Sequence, residues 1–298
     1  MTSSQNKNLM QEKIGDIRND LSGFTALAAL SEKAKGVSLE KVDLDFQSCN
    51  FFEANMAAPF YAVMTRYYEQ LNTVLLINIR PEIRTILQKN RFLCESGFSE
   101  LHDSNHTTLP FKRFKLAASD QFSDYLDQYM HDRGIPKMSD GLAKKFRQSL
   151  FEIFQNAMQH SHSEQGIFVC GQFFPKQHRL DFTIADAGIG IRENVRRFWK
   201  NDKISSCQAI TWALQENNTT RQNQPGGLGL KLIKDFLRLN EGKMLIVSRY
   251  GYYEFSASGE TCRKLPYDFS GTCVTIEINT NDTKSYALKS ELKSSDIF

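Results

Sequence analysis

The sequence predicts an α/β (α+β) chain of two units, a small α/β domain followed by a two-layer α/β sandwich with a mixed sheet. Strand, helix, strand and helix patterns follow one another in residues 37–97, which favours a compact α/β unit. After residue 118, neighbouring strand patterns lack crossover helices, which favours a mixed or largely antiparallel sheet with helices on one face. We therefore divide the chain into a helical segment (1–36), an α/β domain (37–118) and a second domain (119–298).

Composition excludes several classes of protein. Hydrophobic residues make up 41% and charged residues 24% of the 298 residues, the balance of a globular protein. The net charge of +3 is mild and no lysine or arginine block stands out, so nothing indicates a nucleic-acid partner. No apolar run is long enough to cross a membrane, and the polar start does not resemble a signal peptide. Six cysteines without a CxxC pair predict reduced thiols in a cytoplasmic protein.

The first half supplies the elements of the small unit. Residues 1–36 are expected to form one or two helices, and "VSLEKVDLDF" alternates imperfectly as a strand does. "AAPFYAVMTRYYEQL" and "PEIRTILQKNRFLCESG" have helical spacing. Between them, the branched apolar run "TVLLINI" predicts a strand that is buried on both faces.

The second half supplies the sandwich. Strands are predicted in "PFKRFKLA", "GIFVCGQFF", "RLDFTIADA", "KMLIVSRY" and "GTCVTIEIN". Helices are predicted in "DQFSDYLDQYMHDRG", "GLAKKFRQSLFEIFQNAMQHS", "CQAITWALQE" and "LGLKLIKDFLRLN". His160 and His162, near the end of the second helix, are expected at the surface.

Glu152 and Asn156 are the first candidate pair. They lie four residues apart among apolar neighbours, so on a helix they share one face beside a core. The amide oxygen of Asn156 could ligate a magnesium ion, and the carboxylate of Glu152 could orient or deprotonate a nucleophile. Alternatively, the pair edges a solvated helix face.

Two glycine-containing junctions follow. In "DAGIGI", Asp186 ends a predicted strand, where its carboxylate could accept a hydrogen bond from an amine such as that of adenine. In "PGGLGL", glycines precede a predicted helix whose free N–H groups could bind an anion. Either junction alone could be an ordinary turn.

The order of these three motifs resembles the GHKL superfamily of ATP-binding domains, which includes gyrase, histidine kinases, MutL and the anti-sigma-factor kinases. The resemblance covers roughly residues 120–280 and implies the Bergerat fold with bound ATP and Mg²⁺. It implies that Glu152 is the general base, that Asn156 ligates magnesium and that Asp186 binds adenine. Gly188 and Gly190 would then shape the pocket floor. Ala187 replaces an asparagine that many members carry, which removes one polar contact.

The same resemblance assigns the remaining nucleotide contacts. Thr272, on the last strand, would hydrogen-bond near adenine. The phosphates would be held at the glycine junction by Gly227, Leu228, Gly229 and Leu230. Arg221 and Lys231 would be candidate charge partners of the phosphates. Arg221 closes a "TTR" piece similar to the lid of kinase members.

The first unit resembles the STAS fold of anti-sigma-factor antagonists, on the stretch "VDLDFQSCNFFEANMAAPF". The positions of the phosphorylated residue correspond to Ala54 and Asn55, so that switch is expected to be absent. The leading interpretation is a regulatory ATP-binding protein that binds a protein partner through this domain, or forms a homodimer, and hydrolyses ATP slowly. The alternatives are a serine/threonine protein kinase of anti-sigma type and a non-catalytic module that ATP only orders.

Overall fold

The computed structural model describes residues 9–116, 119–130, 133–215, 218 and 228–291. Residues 9–97, called the first unit below, contain a three-stranded parallel sheet. The strands lie in the order β1 (Leu9–Lys13), β2 (Lys41–Asp45) and β3 (Thr73–Ile77). Parallel neighbours need crossover connections. Here the crossovers are helices α1 (Leu21–Ala34) and α2 (Ala57–Glu69), which pack against each other.

Two expectations for this unit are wrong. The segment 1–36 does not contain only helix, because β1 precedes α1 and pairs along its length with β2. The apolar run of β3 is not buried on both faces, because β3 is an edge strand of the sheet and Leu75 is 41% exposed. Branched apolar residues favour strands in general, so their density marked the strand without marking its place in the sheet.

The chain then passes from α3 (Pro81–Lys89) into β4 (Thr108–Phe114), which is the edge strand of a larger sheet. Seven strands form this sheet in the order β10-β9-β8-β11-β7-β6-β4. All of its neighbouring pairs are antiparallel, so it is antiparallel rather than mixed. Its remaining strands are β6 (Ile167–Phe174), β7 (Arg179–Asp186), β8 (Lys243–Ser248), β9 (Gly251–Ser256), β10 (Gly259–Lys264) and β11 (Thr272–Asn279).

Helices cover one face of the seven-stranded sheet and give the domain its α+β sandwich. They are α4 (Ser119–Tyr129), α5 (Asp140–His160) and α8 (Leu228–Asn240). Helices α6 (Ile191–Trp199) and α7 (Ser206–Ala213) follow β7. A minor two-stranded sheet pairs β5 (Lys137–Met138) with β12 (Ser285–Tyr286). The sequence patterns did not predict α6, β9 or β10.

The first unit packs on the other face of the seven-stranded sheet. Along β6, Ile167 and Val169 point into the core under α5, whereas Phe168 and Cys170 point into the core shared with α2. The rings of Tyr61 and Phe168 meet edge to face with centroids 4.9 Å apart. The predicted boundaries at 36/37 and 118/119 therefore separate sequence segments that bury a common core.

The cysteines depart in part from the expectation of free thiols. Cys207 on α7 and Cys262 on β10 form a disulfide, although they are 55 residues apart in sequence. The other four are free thiols: Cys49, Cys94, Cys170 and Cys273. Within the described residues, no helix is long and apolar enough to cross a membrane.

Candidate functional site

A cavity of about 260 Å³ opens between α5 and the ends of the central strands. Polar side chains enter it from α5 and from the end of β7, and its opposite wall is formed by α6 and α7. Of the predicted site residues, the cavity is lined by Glu152, Asn156, Asp186, Gly190, Leu230 and Thr272. Residues that are far apart in sequence are therefore brought to one place.

Helix α5 positions Glu152 and Asn156. It begins after Ser139, whose Oγ accepts a hydrogen bond from the Leu142 N–H at 3.2 Å and so caps the helix. The face that carries Phe154 packs into the core, which fixes the rotation of the helix. Glu152 and Asn156 are half-buried, and both line the cavity.

Glu152 also contacts the first turn of α8. Its Oε2 accepts a hydrogen bond from the Gly229 N–H at 3.0 Å. The N–H groups of the first helical turn lack intrahelical partners and carry the positive end of the helix dipole. A side chain at Gly229 would collide with this carboxylate, because an added Cβ would lie 2.4 Å from Glu152 Oε2.

Asp186 lies at the end of β7 and is 3% exposed. Burial raises the pKa of its carboxyl to about 7, against hydrogen bonds from the backbone of Gly188 and Thr272 and the charge of Arg66, which lower it. The Gly188 N–H donates to Asp186 Oδ1 at 2.8 Å. In the ladder between β7 and β11, Asp186 is paired with Thr272.

The glycines after Asp186 are required by close contacts. A Cβ on Gly188 would lie 1.8 Å from the carbonyl oxygen of Ser161, so the backbone there has no room for a side chain. Gly190 has φ +80°, which favours glycine, and a Cβ would meet the Arg249 side chain at 2.7 Å. Gly188 therefore shapes the turn, and Gly190 also lines the cavity.

The phosphate-side predictions are only partly covered by the structure. Leu228 begins α8, and Gly229 and Leu230 follow in its first turn. Lys231 is also in that turn but is not among the residues that line the cavity. Arg221 and Gly227, together with the rest of the "TTR" piece, lie outside the described residues.

Sequence reasoning missed most of the cavity wall. Its apolar part comes from α6, α7 and three strands, and includes Ile184, Ile191, Val195, Trp212, Ile246 and Val274. His160, which we expected at the surface, lines the cavity from the last residue of α5. An ExxxNxxxH spacing along α5 was the signal that would have placed it there, because residues four apart share a helix face.

The turn before α2 is buried against the seven-stranded sheet. Ala54 and Asn55 are both fully buried, and Asn55 Nδ2 donates to Thr183 Oγ1 at 3.4 Å. The Ala54 N–H donates to Gln172 Oε1 at 2.6 Å. The place that the STAS resemblance assigns to a phosphorylated residue is therefore an interdomain contact, and the resemblance itself stays a prediction.

Comparison with known proteins identifies a family for part of the chain. Residues 141–282 match the family model described as histidine kinase-, DNA gyrase B- and HSP90-like ATPase. No curated protein matches the chain. The matched range contains Glu152, Asn156, Asp186 and the whole of α8. Residues 141–282 are thus an ATP-binding domain of the histidine kinase-, DNA gyrase B- and HSP90-like ATPase family.

Proposed function

We propose that this chain is a regulatory protein that binds Mg-ATP in the cavity and hydrolyses it slowly. The observation that carries the proposal is the convergence of Glu152, Asn156 and Asp186 with the first turn of α8 around one cavity. A buried carboxyl, an amide, a second carboxylate and a helix N-terminus match the parts of a nucleotide from base to phosphates.

The base end of the nucleotide belongs at Asp186. A carboxylate that is 3% exposed gains strongly from an added hydrogen-bond donor, and the exocyclic amine of adenine is such a donor. Apolar side chains such as Ile184, Ile246 and Val274 line the same cavity and suit the faces of a flat ring. Thr272 is close enough to provide a further polar contact at the edge of the base.

The phosphate end belongs at the first turn of α8. In the nucleotide-free protein, the Glu152 carboxylate accepts a hydrogen bond from the Gly229 N–H, as an anion at a helix N-terminus does. Phosphate oxygens would compete for this N–H and release Glu152 toward the cavity. Glu152 would then be free to orient or deprotonate the attacking water.

Magnesium fits this donor set as an ion held mostly by the nucleotide. Within the described residues, no group of three or more histidine, cysteine, aspartate or glutamate side chains could form a metal site alone. Mg²⁺ commonly takes one or two protein ligands, with phosphate and water oxygens completing its shell. The Asn156 amide oxygen would be the protein ligand, one turn from Glu152 on α5. The bound ion would neutralise charge on the transferring phosphate.

A protein partner is proposed to bind through residues 37–118. Three leucines of this unit are exposed: Leu39 by 63%, Leu71 by 73% and Leu75 by 41%. The backbone also brings two of them together, because the Leu39 N–H donates to the carbonyl of Gln70, which precedes Leu71. If this surface forms a homodimer, Leu75→Lys will reduce the sedimentation coefficient. If the wild type and Leu75→Lys both sediment as monomers, the homodimer is refuted and the proposed partner is a different protein.

Thermal unfolding with and without Mg-ATP tests the nucleotide cavity. A ligand at a hundredfold excess over its Kd stabilises the folded state by about 2.7 kcal/mol. We expect this stabilisation in the wild type and in Asp124→Asn, a control on the exposed face of α4. We expect Asp186→Asn to lose it. Equal stabilisation of all three proteins would refute the assignment of the base to Asp186.

Phosphate release separates catalysis from binding. Glu152→Gln keeps an oxygen that can accept a hydrogen bond from the Gly229 N–H, but it removes the carboxylate that acts as the general base. ATP binding should therefore persist, while the rate of hydrolysis falls by about 10²- to 10⁴-fold. The matched control is Glu164→Gln, at an exposed position after α5. Unchanged hydrolysis in Glu152→Gln would remove the proposed role of Glu152. Loss of ATP binding would show that its carboxylate serves the ligand rather than the reaction.

A further inference from the structure

A second cavity, of about 210 Å³, lies between the two units of the chain. It is bounded by the C-terminal halves of α1 and α2 and by the residues that follow β8 and precede β11. None of its lining residues lines the nucleotide cavity. They are Ser31, Ala34, Lys35, Arg66, Glu69, Gln70, Arg249 and Ser270.

Two buried donors at this cavity lack acceptors. Ser31 is 1% exposed, and its Oγ has no hydrogen-bond partner among the described residues. The Nε–H of Arg66 is also buried and lacks an acceptor in the same part of the chain. A buried donor without an acceptor is destabilising. An oxygen atom of a bound ligand would accept hydrogen bonds from both groups and remove this cost.

The charges around the cavity are arranged with the cations toward it. Lys35, Arg66 and Arg249 line the cavity, whereas only one acidic residue, Glu69, does so. Each of these cations has a carboxylate partner: Arg66 pairs with Glu69, and Lys35 pairs with Glu32. Asp268, which is 1% exposed and does not line the cavity, pairs with both Lys35 and Arg249. Its Oδ2 lies 2.7 Å from Arg249 Nη2 and 3.1 Å from Lys35 Nζ.

The carbonyl oxygens at the C-termini of α1 and α2 already accept hydrogen bonds. Carbonyl groups at the C-terminus of α1 accept from the N–H groups of residues 35–37, and those of α2 accept from residues 70–72. The Nη1 and Nη2 groups of Arg66 already donate to Glu69 and Ser270. With these groups and the helix carbonyls occupied, the donors left to meet a ligand are the Nε–H of Arg66 and the hydroxyl of Ser31. A hydrogen bond from a guanidinium N–H to a phosphate oxygen is charge-assisted and therefore stronger than a neutral one.

We propose that this cavity is a binding site for a small oxyanion, of which inorganic phosphate is the simplest. Arg66 binds the oxyanion through its Nε–H, Ser31 donates through its hydroxyl, and Lys35 and Arg249 add positive charge. The proposal does not depend on nucleotide binding. Its test therefore uses the full chain without ATP.

The experiment is a titration of the protein with inorganic phosphate at constant ionic strength, followed by thermal unfolding. The comparison arm uses acetate, which separates a tetrahedral oxyanion from a simple carboxylate. Phosphate should stabilise the wild type, and Arg66→Gln should weaken its apparent affinity by about tenfold, the effect of one charged hydrogen bond. The control is Arg84→Gln, an exposed arginine on α3 that should behave as the wild type.

Ser31→Ala guards against a variant that simply folds badly. Because it removes a hydroxyl without a partner from a helix, its melting temperature without phosphate should not fall below that of the wild type. Its phosphate affinity should fall by about threefold, as for one neutral hydrogen bond. Equal stabilisation by phosphate of the wild type, Arg66→Gln and Ser31→Ala would overturn the proposal. So would stabilisation by neither anion.

Discussion

Replacing Asp186 by asparagine is expected to stabilise the nucleotide-free protein at pH 8 while removing ATP binding. Asp186 is 3% exposed, and burial raises the pKa of its carboxyl to about 7. At pH 8 the folded protein therefore contains a desolvated negative charge. Asparagine has nearly the same shape, is neutral at every pH, and keeps an oxygen that accepts from the Gly188 N–H.

The magnitude follows from the difference between the folded and unfolded pKa values. The ordinary pKa of this carboxyl is 3.8 and the folded value is about 7, a difference of roughly three units. One unit corresponds to about 1.4 kcal/mol, which gives about 4 kcal/mol in total. Because the folded pKa is the higher one, the free energy of unfolding falls as the pH rises from about 4 to 7 and is constant above that window.

Urea unfolding between pH 5 and pH 8 measures this effect. The stability of Asp186→Asn relative to the wild type should grow with pH and level off above pH 7, whereas Asp124→Asn should follow the wild type. Parallel curves for wild type and Asp186→Asn would refute the conclusion that Asp186 is protonated in the folded protein at low pH. They would also remove the physical reason for placing a hydrogen-bond donor there.

The same pKa predicts how ATP affinity depends on pH. Ionised Asp186 accepts a charge-assisted hydrogen bond from the adenine amine, which is stronger than the bond that a neutral carboxyl would accept, so protonation of the free protein below about pH 7 weakens binding. The ionised fraction falls from about nine tenths at pH 8 to about one tenth at pH 6, so the Kd should rise by about tenfold. A Kd that is equal at both values would contradict this role.

Two further predictions concern the stability of the disulfide-linked loop and of the turn at Gly188. Cys207→Ser should lower the free energy of unfolding by at most about 4 kcal/mol, which is the entropy limit for the loop that the disulfide between Cys207 and Cys262 closes. Mass spectrometry under non-reducing conditions should show this disulfide in the wild type. Gly188→Ala should destabilise the protein by about 3 kcal/mol in urea unfolding, because its Cβ would overlap the Ser161 carbonyl oxygen. An alanine variant as stable as the wild type would show that this turn can open.

The polar side chains that line the first cavity could be selected from the sequence because their signals are local. Glu152 and Asn156 share a helix face through their spacing, and Asp186 ends a strand whose alternation is plain. The wall of the cavity could not be predicted, because Trp212 and Ile246 reach it only after α7 and β8 take their places around the sheet. The spacing of such residues in the sequence does not indicate which distant elements they will pack against.

The first unit shows the same limit more strongly. The apolar residues of β3 predicted burial, but burial depends on what packs beside a strand, and β3 is an edge strand. The pairing of Cys207 with Cys262 likewise depends on how α7 meets β10. Both errors came from reading a tertiary property out of local composition.

Packing of the first unit on the sheet places Arg66 in contact with the segment that precedes β11. Ser270 Oγ accepts from the guanidinium groups of Arg66, on α2, and Arg249. The next residue, Gly271, has φ +109° and lies against the Asp186 carbonyl, where a Cβ would approach to 2.1 Å. One short segment of backbone, Ser270 and Gly271, therefore connects the second cavity with the Asp186 end of the first cavity.

Ser270→Ala should accordingly weaken ATP binding although Ser270 does not line the nucleotide cavity. Couplings through packed segments are about 0.5–2 kcal/mol, so the Kd should rise by about twofold to thirtyfold. The exposed Ser258→Ala is the control. Combining Ser270→Ala with Arg66→Gln should weaken binding no further than the stronger single change, because both remove the same contact. Additive effects would mean that Arg66 acts on Asp186 through its charge alone.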